Sequence, residues 1–233
     1  MSRKKTKAVE ATRILLIAAV FIAVLAVSIV VQLSLSPNFQ GFGRDNVSGP
    51  GENTQQGEDA AEEGDGSFNW KKHPVFIIGD SLTYGARHEI AKVVENSTID
   101  SKEGRNMATG VQILKDWIDS GLLAEDAIVI ICLANNITDS TSKDAQTIVD
   151  MIEPGQSLIM MTGHGLASME PANEFIRTLP NLYAFVTVAD WDLTIAQSPS
   201  LLSGDGIHVA GSQGNVLYAD LIVRALEVSK PRP

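Results

Sequence analysis

The run Ala127-Ile128-Val129-Ile130-Ile131-Cys132-Leu133 contains no polar residue, and it restricts the folds open to this chain more than any other feature. A strand with one face in water alternates apolar and polar side chains, whereas a strand apolar throughout must be covered on both faces. A second run of this kind, Val75-Phe76-Ile77-Ile78, ends at Gly79. Shorter strand-like stretches are expected at about 97–101, 157–162 and 182–188. Between them lie helical patterns at about 87–94, 109–120, 142–152, 170–179 and 214–228. The clearest, at 109–120, carries Val111, Ile113, Leu114, Trp117 and Ile118 on one stripe, and Pro154-Gly155 closes the helix at 142–152. Strands alternating with amphipathic helices imply a parallel sheet with helices on both faces. The expected architecture is an α/β three-layer α/β/α sandwich with a roughly five-stranded parallel sheet. No internal repeat is visible.

The N-terminal part has a different character. Residues 1–13 carry Arg3, Lys4, Lys5, Lys7 and Arg13, and an almost unbroken apolar stretch follows from Ile14 to Leu33. Twenty residues at ~1.5 Å rise match the ~30 Å hydrocarbon core of a bilayer. Basic residues before the stretch and acidic ones after it place the N-terminus in the cytoplasm and the rest outside. Residues 14–35 therefore read as a single-pass transmembrane signal-anchor. A cleaved signal peptide is the rival, although its apolar region is usually only ~7–15 residues. Residues 36–70, rich in Gly, Asn, Gln, Ser and acids, read as a solvated tether. Residues 71–233 are the expected extracytoplasmic domain.

Apolar residues make up 44% of the chain, enough for a sizeable core, and the net charge is −10 with no basic stripe in the second half. Nucleic acid is thus not an expected partner. Cys132 is the sole cysteine, so no intramolecular disulfide can form. Inside its apolar run it is expected to act as a small buried hydrophobe. An exported domain without disulfides fits a bacterial cell surface better than an animal secretory pathway.

In such a sheet, strand ends deliver residues from distant segments to one edge, where ligands bind. The segments reaching that edge are Gly79-Asp80-Ser81-Leu82, Lys102-Glu103-Gly104-Arg105-Asn106, Ala134-Asn135-Asn136-Ile137 and Gly204-Asp205-Gly206-Ile207-His208. Three of them have a bland reading as well: Asp80 and Ser81 as helix caps, Asn136 as a turn residue, His208 as an exposed or capping histidine. His73, His88 and His164 have no Asp three residues before them and read as surface or loop residues, with His164 able to line a pocket from a strand end. Neither metal-ligand spacing nor a phosphate-cradling loop is present.

Taken together, these segments resemble, in order and rough spacing, the four blocks of the SGNH (GDSL-type) hydrolase superfamily. Gly79-Asp80-Ser81-Leu82 matches the nucleophile block, Gly104 the glycine block, Asn136 the asparagine block and Asp205-Gly206-Ile207-His208 the Asp-x-x-His block. The resemblance is strongest to the extracellular domain of peptidoglycan O-acetyltransferases and related envelope acetyltransferases. There it extends to Glu103-Gly104-Arg105, Ala189-Asp190-Trp191 and Ser203 to Val209, covering nearly all of residues 73–228.

The resemblance implies a flavodoxin-like SGNH fold and serine catalysis without a metal or cofactor. Ser81 would be the nucleophile, His208 the base that takes its proton, and Asp205 the group that orients the imidazole. The Ser81 and Gly104 backbone N–H groups and the Asn136 amide would form the oxyanion hole. Asn135 is a neighbouring candidate for the asparagine, but alignment of Leu133 with the strand end favours Asn136. Two departures, Ala134 where relatives have Gly and Ile137 where many have Asp or Gly, bear on substrate preference. The implied cargo is an O-acetyl group on a cell-envelope glycan, moved by hydrolysis or transfer; small acyl esters are a further possibility. Related transferases carry a multi-span membrane domain that supplies acyl groups, so transfer would require a separate membrane acyltransferase as donor. From another functional class, a non-catalytic glycan-binding or assembly module would keep the same fold.

Overall fold

The computed structural model describes residues 68–233. The expectations for residues 1–13, for the membrane anchor at 14–35 and for nearly all of the linker at 36–70 lie outside the described residues. Among the described residues, no helix is long and apolar enough to cross a membrane.

Five strands and six α-helices alternate among these residues: β1 (Val75–Gly79), α1 (Ser81–Val93), β2 (Ser97–Ser101), α2 (Met107–Asp119), β3 (Ile128–Cys132), α3 (Thr141–Met151), β4 (Ser157–Met161), α4 (Glu170–Leu182), β5 (Val186–Ala189), α5 (Trp191–Ala196) and α6 (Gly211–Val228). All strand pairs are parallel, in the order β2-β1-β3-β4-β5. The expected three-layer α/β architecture with a five-stranded parallel sheet is borne out.

The all-apolar runs become the buried strands because each strand sends alternate side chains to opposite helical layers. Ile77, Ile130 and Ile159 pack with Ala86 and Ile90 of α1, Ile195 of α5 and Ile222 of α6. Ile78, Val129, Ile131 and Met160 pack with Leu114 of α2, Ile148 of α3 and Ile176 of α4. Each of these side chains is fully buried, which contributes about 1.5–3 kcal/mol per large aliphatic residue. Ser97–Ser101, lacking such a run, is the half-exposed edge strand.

Two features of this topology create the site. The strand order reverses direction at β1, so the crossovers leaving β1 and β2 lie on opposite faces and a crevice opens between the ends of β1 and β3. The register is also level there, with Gly79 opposite both Ser101 and Cys132. Three consecutive strand ends therefore open onto one floor.

Several boundaries differ from the sequence expectation. Helix α1 begins at Ser81, well before 87, because the Asp80 carboxylate accepts the Leu82 N–H at 3.0 Å and starts the helix at once. Helix α4 continues to Leu182 through Pro180, so β5 starts at Val186 and not near 182. Pro180 lies in the last turn and removes a single helical hydrogen bond, and the Tyr183 N–H still reaches the Leu179 carbonyl at 2.9 Å. Helix α5 was not anticipated; Asp190 caps it by accepting the Leu193 N–H.

Candidate active site

Strand β1 delivers its cargo through a tight turn. Gly79 has no side chain where Thr83 folds back against it, and a Cβ there would overlap the Thr83 side chain. The Asp80 N–H donates to the Cys132 carbonyl at 3.2 Å, extending the pairing with β3 by one rung. Asp80 is extended (φ −97°, ψ −152°) and caps α1, so Ser81 is the first helical residue and stands at the carboxyl edge of the sheet. A buried bond of 2.9 Å between Thr83 Oγ1 and the Tyr218 hydroxyl ties this first turn to α6.

The loop before α6 supplies the other half. Its base is closed by an antiparallel bridge between Leu202 and Val209, with the Ser203 N–H on the His208 carbonyl and the Ala210 N–H on the Leu201 carbonyl, both at 2.7 Å. Inside it, Asp205 Oδ1 accepts the Ile207 and His208 N–H groups at 2.9 Å each and the Ser203 hydroxyl at 2.7 Å. Asp205 Oδ2 lies 2.7 Å from His208 Nδ1. The Ile207 N–H first, then the His208 ring and N–H and the Ser203 hydroxyl, hold the Asp205 carboxyl well below the usual carboxylate range. His208 Nε2 lies 2.9 Å from Ser81 Oγ. Ser81, His208 and Asp205 thus form one continuous hydrogen-bonded chain, although 127 residues separate Ser81 from His208.

Gly104 and Asn136 stand around the same point. Gly104 follows β2 in the left-handed region at φ +75°, which favours glycine. Its loop is anchored by Arg105, whose guanidinium donates to the Asp100 carboxylate at 2.7 Å and to the Asp100 carbonyl at 2.8 Å. Asn136, just past the end of β3, donates from Nδ2 to Asp80 Oδ2 at 3.4 Å. Ser81, Gly104, Asn136 and His208 all line one open cleft of about 590 Å³. Tyr84, Gly85, Arg87 and Glu103 complete its walls. A second cavity of about 320 Å³, beside Trp70, Val93 and Asn96, lies at the opposite, amino-terminal edge of the sheet and contains none of these residues. Among the described residues, no group of three or more His, Cys, Asp or Glu side chains is placed to hold a metal ion.

Of the candidates named from sequence, Ser81, Gly104, Asn136 and His208 line this cleft, and Asp205 stands behind His208. Asn135 and Asn136 separate cleanly: the Asn135 side-chain oxygen is occupied by the His164 N–H at 2.8 Å, whereas Asn136 faces the cleft. Ala134 is buried, with Gly163 backed so closely onto its carbonyl that a Cβ on Gly163 would collide with it. His164 does not line the cleft; its Nδ1 lies 2.7 Å from Asp192 Oδ1. Asp192 also accepts from Arg177 at 2.8 Å, and Arg177 reaches Asp190 at 2.8 Å. Burial raises the Asp190 carboxyl, but its bonds from Arg177, Leu193 and Thr162 outweigh that and hold it below its ordinary value. The Ala189-Asp190-Trp191 segment is therefore scaffold. His73 pairs with Asp126 at 3.1 Å and His88 is exposed, both away from the cleft.

Asp80 has a role beyond capping that the sequence reading missed. It is 1% exposed, and burial pushes its carboxyl up to about 6 against the opposing effects of the Leu82 N–H and the nearby His208. Its position directly before Ser81, at the end of an apolar strand, was the available signal. Cys132 is buried as expected, and burial pushes its thiol up to about 12, which keeps it unreactive.

No protein-family model matches the chain. The Bacillus subtilis protein YrhL, provisionally described as a peptidoglycan O-acetyltransferase, is 24% identical over 189 residues, or 78% of this chain and 29% of its own length. The chain thus spans less than a third of that relative. Among solved structures, the C-terminal catalytic domain of Streptococcus pneumoniae peptidoglycan O-acetyltransferase A, with a methylsulfonyl adduct, aligns with a TM-score of 0.64 at 22% identity, covering 69% of this chain and 96% of that domain. A member of the lipolytic G-D-S-L family from Veillonella parvula aligns at 0.56 and 14% identity, covering 65% and 97%. The esterase EstA from a Pseudoalteromonas species aligns at 0.51 and 14% identity, covering 66% and 97%. At these identities the likeness shows the fold alone, the three-layer α/β sandwich that this chain shares with these solved esterase and O-acetyltransferase domains.

Proposed function

We propose that this protein is a serine esterase or O-acyltransferase that handles O-acetyl groups on a cell-envelope glycan, peptidoglycan or a related polysaccharide, through an acyl-Ser81 intermediate. The observation that carries the reading is the continuous chain from Ser81 Oγ through His208 to Asp205, with contacts of 2.9 and 2.7 Å. The similarity to peptidoglycan O-acetyltransferases supports the choice of cargo.

In this mechanism the Ser81 oxygen attacks the acetyl carbonyl carbon while His208 Nε2 takes the hydroxyl proton. Asp205 keeps the other ring nitrogen protonated and stabilises the imidazolium that results. The carbonyl oxygen becomes an oxyanion, accepted by the Ser81 and Gly104 N–H groups and the Asn136 amide. Collapse expels the leaving group of the acetyl donor, the sugar alkoxide in hydrolysis, which recovers the proton from His208 and leaves acetyl-Ser81. A water or, for transfer, a sugar hydroxyl then repeats the cycle in reverse. Residues 14–35 would hold the protein in the cell membrane, N-terminus in the cytoplasm, with the catalytic part outside. For transfer, a separate multi-span membrane acyltransferase would supply the acetyl group.

The test uses the full-length chain and its Ser81→Ala variant, purified in mild detergent and mixed with 4-nitrophenyl acetate. The expected result is release of 4-nitrophenol and a mass increase of one acetyl group on Ser81, in the unmodified protein only. Equal background rates and no adduct in either protein, with this ester and with longer acyl esters, would overturn the catalytic reading. A glycan-binding module on the same fold would then take its place.

A further inference from the structure

The cleft contains a charged aromatic pair that the acyl-transfer chemistry does not use. Tyr84 and Arg87 lie one turn apart on α1 and line the wall beside Ser81. The Arg87 guanidinium stacks on the Tyr84 ring, 4.0 Å from its centroid, and its NH1 group donates to the Tyr84 carbonyl. Stacking plus one bond to its own helix holds the guanidinium in place without neutralising it. Among the described residues no carboxylate forms an ion pair with Arg87. Tyr84 is 42% exposed, so part of its ring is open to a ligand in the cleft. Glu103 lines the same cleft and, among the described residues, forms no ion pair either.

We infer that Tyr84 and Arg87 form a subsite for the substrate's glycan, in which a pyranose ring lies against the tyrosine and a carboxylate carried near that ring pairs with Arg87. The inference rests on the proposed glycan substrate and specifies its class as acidic. A planar guanidinium held by stacking presents its N–H fork to a carboxylate with little further loss of side-chain freedom. Apolar faces of sugar rings suit an exposed aromatic surface, and a charge partner beside it sets which sugars stay bound. Glu103, lining the same cleft, works against the carboxylate and narrows the choice to ligands that engage Arg87 directly.

The test measures binding, so it does not depend on acyl-Ser81 formation. With full-length protein carrying Ser81→Ala, calorimetry gives dissociation constants for N-acetylmuramic acid, for its carboxamide, and for N-acetylmuramyl dipeptide, whose free carboxylate lies on the peptide. The acid or the dipeptide should bind about five- to tenfold more tightly than the carboxamide, and whichever does identifies where the carboxylate sits. Arg87→Gln should abolish that preference, Arg87→Lys should keep part of it, and Glu103→Gln should tighten binding of the preferred acid. A gain of affinity in Glu103→Gln cannot come from a damaged fold. Equal affinity for the carboxamide and for both carboxylate-bearing ligands in the parent protein, or a preference that survives Arg87→Gln with unchanged melting temperature, would overturn the assignment.

Discussion

Asp80 Oδ2 lies 3.4 Å from Asn136 Nδ2, so the residue before the candidate nucleophile is joined to a candidate oxyanion donor beneath the cleft. The link crosses from the end of β1 to the loop after β3 and holds the Asn136 amide from its buried side. It also places a titratable group at the floor of the site.

That group has a signature in stability. The folded-state value of about 6 for Asp80 exceeds the ~3.9 of an unfolded chain. Between those values the folded protein binds more protons than the unfolded one, so Asp80 favours folding in mild acid and loses that contribution as pH rises through 6. Denaturant unfolding of the parent and of Asp80→Asn at pH 4.5 and 7.5 should show a difference in pH response of about 2 kcal/mol. The parent should gain stability on acidification relative to the variant; identical responses would contradict the burial argument.

Asn136→Ala should lower kcat on 4-nitrophenyl acetate by about 10²–10³-fold, the usual effect of losing one oxyanion donor. Asn136 is partly exposed, so its melting temperature should stay within a few degrees of the parent. A fall in kcat below tenfold would remove Asn136 from the oxyanion hole.

Asp205→Asn tests orientation separately from loop folding. An asparagine oxygen can still accept the Ile207 and His208 N–H groups, so the loop should persist, but its amide nitrogen would face His208 Nδ1. The ring would then carry its proton on the wrong nitrogen, and kcat should drop by about 10⁴-fold, as in other serine triads. Circular dichroism and melting temperature should be nearly unchanged.

Gly165→Ala reaches the same loop from beneath. Gly165 has φ +118°, and a Cβ there would lie 2.6 Å from Ile207 Cγ1 and 2.7 Å from the Gly206 carbonyl oxygen. The substitution should displace the loop carrying Asp205 and His208, lowering kcat at least tenfold and stability by about 1–3 kcal/mol. Unaltered kcat would mean that the loop is positioned by other contacts.

The parts legible in the sequence were those written in contiguous residues. The apolar runs at 75–78 and 127–133 signal strands buried on both faces, and Asp205 and His208 sit close enough for one turn to present both. The parts that were not legible depend on pairing across the fold. Arg177, Asp190, Asp192 and His164 form a network whose members come from α4, the cap and first turn of α5, and the loop after β4, and nothing local marks them as partners. Asp80 looks like an ordinary helix cap until its burial is known. The early start of α1 was obscured by Ser81 to Gly85, a weakly helical stretch that begins a helix here only because Asp80 caps it.

The bridge between Leu202 and Val209, described above as the base of a loop, has a mechanical consequence. Asp205 and His208 are locked to each other by bonds within that loop, and Ser81 is locked to the sheet through Gly79, Asp80 and Thr83. Two internally stiff pieces therefore meet where His208 Nε2 reaches Ser81 Oγ and where Thr83 Oγ1 bonds the Tyr218 hydroxyl. Productive alignment reduces to a single coordinate, the separation of those pieces, governed by how α6 seats on α1. A ligand or partner that slid α6 by a fraction of an ångström would throttle the chemistry without touching any of the three residues that perform it.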